Sequence, residues 1–168
     1  ASDYAQGLDA MPDIDTAAVN ERITLMQAPF AGSGKENPYT LHKELQDTMQ
    51  LNVGIIRTES EMNTALEDIA SLRERAANAS VEGNVQYNPG WHLALDLEHM
   101  LHVAEAITKG ALERKESRGG HTRDDFPGPT EAFGKVNVVG RMTEDGIQVQ
   151  QEPLPQMPAE LAKLFEEA

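Results

Sequence analysis

The chain has 168 residues, enough for one domain with a core of its own. With 39% hydrophobic residues but only 5% aromatic, that core must be built from Leu, Ile, Val, Ala and Met. A charged fraction of 25% beside that aliphatic content suits a mainly α domain better than a sheet sandwich. The net charge of −14 argues against a nucleic-acid or anionic-lipid surface, and the absence of cysteine excludes disulfides, thiolate metal sites, iron–sulfur ligation and Cys nucleophiles. No run of ~18 apolar residues is present, so no segment reads as a spanning helix and no direct membrane insertion is expected. The N-terminal ASDYAQGLDA lacks the basic and apolar regions of a signal peptide and does not begin with Met; a trimmed piece of a longer polypeptide is the expectation.

Residues 1–12 are small, polar and acidic and are expected to be loose unless a partner holds them. Asp13 or Asp15 can cap a helix starting near Thr16, with Val19, Ile23 and Met26 as a modest apolar stripe and Pro29 as its end. Gly32-Ser33-Gly34-Lys35 resembles a phosphate loop only superficially. Pro29 stands where that motif needs its first Gly, Glu36 stands where it needs Ser or Thr, and no strand precedes it, so the segment reads as a connector. Asn37-Pro38 starts a second helix through Leu41, Leu45 and Met49, and Gly54 marks a bend. Thr58 and Glu61 form a capping box for a third helix, with Met62, Ala65, Leu66, Ile69, Leu72 and Ala76 on one face.

A long helix from about Gly90 carries Leu93, Leu97, Met100, Leu101, Ala104, Ile107, Ala111 and Leu112, with Ala94, Thr108 and Ala111 small enough to admit a neighbouring helix. Glu105 and Lys109 can pair one turn apart, and Gly119-Gly120 are expected to stop the helix. After Gly128-Pro129 two alternating runs, 135–139 and 147–150, flank Glu144-Asp145-Gly146 and predict a β-hairpin, followed by a short amphipathic end with Leu161, Leu164 and Phe165 on one side. A lone hairpin is marginal in water and must pack on the helices or on a partner. The predicted architecture is a three-helix up-down-up, spectrin-repeat-like bundle with an extra N-terminal helix and a C-terminal hairpin plus short helix. Residues 1–127 form the bundle and 128–168 an extension.

His92, Asp96, His99 and His102 lie at helical spacings that metal sites use, but the shell would need completing from His42 or His121, so solvated histidines on an interface helix are the stronger reading. Ser117, His121 and Asp125 recur every four residues without a nucleophile-elbow motif, which makes a hydrolytic triad the weaker reading. The stretch from Ser117 to Pro127 packs Arg118, His121, Arg123, Asp124 and Asp125 into a few positions. Exposed ion pairs contribute only about 0–1 kcal/mol, so either this is a solvated turn or its guanidiniums and carboxylates are presented to another surface.

Glu116-Ser117-Arg118-Gly119-Gly120-His121-Thr122-Arg123-Asp124-Asp125-Phe126-Pro127 resembles a signature of the succinate dehydrogenase and fumarate reductase flavoprotein subunits, a family that includes L-aspartate oxidase. Gly120 stands where Ala is more usual, and the tail after Pro129 departs from many members. The 45–57 segment, ending in Arg57, and the helix from Leu66 to Arg75 resemble the family in the same order. The resemblance implies the C-terminal helical domain of such a subunit, whose parent interconverts succinate and fumarate through FAD. It implies an upstream FAD-binding domain and an iron–sulfur subunit as partners, and a complex at the cytoplasmic face of the inner membrane. No G-x-G-x-x-G occurs here, so no cofactor, catalytic residue or metal is assigned to this stretch. Arg57, Arg118, His121, Arg123 and Asp125 are implied to dock against the FAD domain. The alternative is a free-standing acidic adaptor that binds a protein partner through Ser117–Pro127.

Overall fold

The computed structural model describes residues 2–7, 13–32 and 34–166. Its elements run α1 (Ser2–Gln6), α2 (Thr16–Ala31), α3 (Pro38–Asn52), β1 (Ile56–Arg57), α4 (Glu59–Ala76), α5 (Pro89–Glu113), β2 (Thr122–Arg123), β3 (Val136–Thr143), β4 (Gly146–Pro153) and α6 (Ala159–Glu166). The helix starts follow from their caps. Asp15 accepts from the Ala17 and Ala18 amides, Asn37 from Tyr39 and Asn88 from Trp91, with Pro at the first helical position of both α3 and α5. Thr58 and Glu61 form the full reciprocal box at the head of α4.

Helices α3, α4 and α5 each pack on the other two. Leu41 and Leu45 of α3, Ile69 and Leu72 of α4, and Leu97, Leu101 and Ala104 of α5 make one core, each at most 5% exposed. Each such large side chain contributes about 1.5–3 kcal/mol of transfer free energy. The up-down-up order shows at the two ends. Glu36, just before α3, is bonded to Arg75 near the end of α4, while Tyr39 of α3 approaches Gly90 at the start of α5. At the other end the start of α4 meets the tail of α5, through the Asp125 bond to the Glu59 amide.

Ionic contacts join the same elements. Arg73 of α4 bonds Glu105 of α5 at 2.7 Å, and Lys109 pairs with Glu105 one turn away at 2.6 Å. Burial opposes the lowering of the Glu105 carboxyl pKa, but the hydrogen bonds from Lys109 and Arg73 prevail and hold it below its ordinary value. Lys109 also donates to the Ile147 carbonyl, which ties the hairpin to α5, and Ile147 is 8% exposed. The hairpin pairs Thr143 with Gly146, so Glu144-Asp145 is the two-residue turn and Gly146, at φ 97°, opens the return strand.

Two expected helix ends move. Pro29 does not end α2, which continues to Ala31, because a proline in the last turn removes one amide bond without blocking the residues after it. Gly119-Gly120 do not stop α5, which ends at Glu113, where Arg114 turns extended at φ −81°, ψ 92°. Gly119, at φ 59°, instead makes the tight turn in which Arg118 and His121 exchange backbone bonds of 2.8 and 3.1 Å. Gly34 is required by close approach: a Cβ there would stand 2.0 Å from the Asn78 carbonyl oxygen. Ser33 in the same connector, part of the 1–12 stretch, and the side chains of Leu164 and Phe165 lie outside what the structure describes.

Candidate functional site

The signature residues gather at the end of the bundle where α3 and α5 finish and α4 begins. There β1 and β2 pair in parallel, Ile56 with Thr122 and Arg57 with Arg123, and bring residues 66 apart in sequence side by side. Sequence expects Arg123 to face outward. In the structure it is fully buried, at 0% exposure. Its Nη1 donates to the Ala111 and Leu112 carbonyls at 3.0 and 3.2 Å, and these are orphan acceptors at the tail of α5. Its Nε and Nη2 make a bidentate pair with Asp125, both at 2.7 Å, and its Cζ lies 4.9 Å from the centroid of the Phe126 ring. Asp125 in turn accepts the Glu59 amide at 2.8 Å, so one ion pair ties the tail of α5 to the head of α4. The Arg123 hydrogen bonds hold the Asp125 carboxyl well below the usual carboxylate range.

A second clamp centres on Glu116, which the sequence reading gave no role. It is 0% exposed and accepts from Arg114 at 2.6 Å, from Arg118 at 2.9 and 3.2 Å, and from the Thr130 amide at 2.7 Å. The Arg118 bond leads in lowering its pKa to about 2. Arg118 also donates to the Thr130 carbonyl at 2.9 Å. The only local signal for this role was an acidic residue between two arginines.

His121 joins the two clamps. Its Nε2 lies 3.0 Å from the Arg114 carbonyl, which can only accept, so Nε2 carries the proton and Nδ1 accepts from Arg57 Nη1 at 3.0 Å. Burial, reinforced by the nearby Arg57, Arg123 and Arg114 cations, pushes its pKa down against the Arg114 bond. Arg57 is half-buried and its Nε donates to the Gly54 carbonyl at 2.5 Å. Its partners are a carbonyl and a neutral ring, and no described carboxylate pairs with it. Burial first, then Arg123, lowers its pKa below the usual arginine value. Beside it Ile55 and Ile56 are 74% and 61% exposed.

The triad geometry is absent. Ser117 Oγ accepts the Arg123 amide at 2.8 Å and faces the Arg123 and Phe126 carbonyls, while His121 and Asp125 bond elsewhere. His92, Asp96, His99 and His102 lie along α5, and His42, Asp96 and His99 border a groove of about 510 Å³ between α3 and α5. Among the described residues no three His, Asp or Glu side chains gather as a metal shell. The residues do not suit a dinucleotide either, because the parallel strands are two residues long and Thr58, not a glycine-rich turn, leads from β1 into α4. No described helix is long and apolar enough to cross a membrane.

The family whose model matches the chain, over residues 42–163, is "Fumarate reductase flavoprotein C-term". The chain is 34% identical over 125 residues to the fumarate reductase flavoprotein subunit of Helicobacter pylori strain J99, covering 71% of this chain and 18% of that protein. It is 30% identical over 130 residues to the succinate dehydrogenase flavoprotein subunit of Bacillus subtilis, covering 74% and 22%. The chain therefore spans about a fifth of the length of these relatives. Among solved structures, Mycobacterium smegmatis Sdh1 in complex with UQ1 superposes with a TM-score of 0.91 at 42% identity over 98% of this chain and 28% of that one. The match runs through the signature clamps and on across the hairpin, and the chain belongs to the fumarate reductase and succinate dehydrogenase flavoprotein family, as its C-terminal helical domain.

Proposed function

We propose that this domain serves a flavoprotein subunit that interconverts succinate and fumarate, with FAD held by the remainder of the polypeptide and electrons passed to an iron–sulfur subunit. The parent complex would sit at the cytoplasmic face of the inner membrane. The observation that carries this reading is the family match over residues 42–163 in a chain about a fifth as long as its relatives. The domain's own role is mechanical, which fits a site where Arg114, Arg118 and Arg123 all hold backbone or carboxylate groups of the domain itself. Residues 1–127 supply the bundle and 128–168 an extension whose strands β3 and β4 pack on α5.

Within this reading Arg57, Arg118, His121, Arg123 and Asp125 serve docking in two ways. Arg123 and Asp125 act by positioning, since their bonds lie within the domain and hold the loop in shape. Arg57 and Arg118, with His121 orienting Arg57, meet the flavin-binding part. Arg57 has no anionic partner among the described residues and sits beside exposed Ile55 and Ile56, so a carboxylate or carbonyl edge on that part is what it would receive. No observation favours the free-standing adaptor.

The test compares two purified proteins. The full-length subunit should be yellow and reduce a dye with succinate, and the 168-residue chain should do neither. Succinate-dependent dye reduction by the short chain, or its absence from the full-length subunit, would overturn the reading.

A further inference from the structure

Helix α2 is the element least accounted for by the fold. It runs for 16 residues and none of them is buried. Val19, Ile23 and Met26 recur at helical spacing on one face and remain 46%, 46% and 40% exposed. Among the described residues the helix is tied down at its C-terminal end: Trp91 Nε1 donates to the Met26 carbonyl at 2.6 Å, the Phe30 and Trp91 rings meet at 5.4 Å, and the Val81 amide donates to the Pro29 carbonyl at 3.0 Å. A helix of this length is marginal in water unless an apolar face is covered. Its composition is also out of keeping with the chain. Glu21 and Arg22 are its only charged residues, in a protein that is 25% charged with a net charge of −14. Depletion of charge around an apolar stripe is the composition of an interface centre.

The comparisons point to the occupant. The family match starts at residue 42, beyond α2. The Mycobacterium smegmatis chain nevertheless superposes on 98% of this one, α2 included, while the superposed part is 28% of that chain. The helix thus keeps its place in a protein with far more polypeptide around it.

We propose that the Val19–Ile23–Met26 face of α2 packs, in the full-length subunit, against the flavin-binding part of the same polypeptide, as an apolar strap separate from the Arg57 contact. This rests on reading the chain as one domain of a flavoprotein subunit. The strap fixes the bundle's N-terminal side, while Arg57 and the signature loop fix its opposite end.

Hydrogen exchange on the full-length subunit tests it. The amides of residues 19–26 should exchange at least 100-fold more slowly than unstructured chain. Ile23→Asp should remove at least tenfold of that protection, and Thr24→Asp, the same charge on the far side of the helix, should leave it. If Ile23→Asp does not accumulate, Ile23→Ala should give the same order with a smaller loss. Unprotected α2 amides in the wild-type subunit, or equal effects of the two aspartates, would overturn the proposal. Protection that disappears on dilution to monomer would assign the face to a second copy and overturn it as well. A subunit that lacks succinate activity yet protects α2 would sink the functional reading and leave the strap standing.

Discussion

Leu97 and Leu101 in the bundle and Glu116 and Arg123 in the signature loop are equally buried, at 0–1% exposure, but different forces hold them. The bundle excludes water from aliphatic side chains that have no directional needs. The loop buries charges, and each charge is tolerated because its hydrogen-bonding positions are filled: carbonyls and a carboxylate around Arg123, two guanidiniums and an amide around Glu116. The core should therefore tolerate exchanges that conserve volume and be indifferent to mild acid. The loop should be intolerant of losing a single partner and sensitive to protonation.

The largest expected effect is at Arg123. Arg123→Ala leaves Asp125 and two α5 carbonyls without their donor and should cost about 3–5 kcal/mol in urea unfolding. Replacing both partners with apolar residues, Arg123→Met with Asp125→Leu, should cost less than the single change; a larger cost would break the comparison. Leu97→Ala should cost about 2–5 kcal/mol and Leu97→Met less than about 1.5 kcal/mol, by the same assay.

Acid should act on the loop before the core, with a smaller and graded effect. Glu116 has its folded pKa lowered from 4.5 to about 2, so its contribution is complete above about 4.5 and drains away as pH falls toward 2. His121 is held below its ordinary 6.5, so the unfolded chain takes up a proton first and stability begins to fall near that pH, continuing until the folded imidazole protonates. Hydrogen exchange across this range should show the Arg123 amide losing protection while Leu101 keeps its own. Parallel loss at both would show that loop and core are one cooperative unit. The smallest effect is at the Thr58 cap, where Thr58→Ala should lower stability by about 1 kcal/mol in the same unfolding assay.

What could be read from sequence divides along the same line. The aliphatic stripes, the Asn37 and Asn88 caps and the Thr58–Glu61 box depend on residues within a turn of each other, and periodicity finds them. The end of α5 depends instead on a guanidinium about ten residues downstream. Arg123 supplies the Ala111 and Leu112 carbonyls with the donor that a glycine-turned cap would otherwise provide, and Gly119-Gly120 are released for the Arg118–His121 turn. The loop's composition showed that its charges need partners. It could not show that Arg123 and Glu116 find them inside the domain, because residues 57, 59, 111 and 130 lie 12–66 residues in sequence from the loop groups they bond. The resemblance named Arg57 and His121 as docking residues, and the β1–β2 pairing is what joins them.

Docking of this end of the bundle on the flavin-binding part is read by flavin retention and thermal midpoint of the full-length subunit carrying Arg57→Ala. Arg57 is the half-buried cation at this end of the bundle that has no anionic partner among the described residues. Both quantities should fall, and Arg57→Lys should restore part of each. Wild-type flavin content and an unchanged midpoint in Arg57→Ala would contradict this docking.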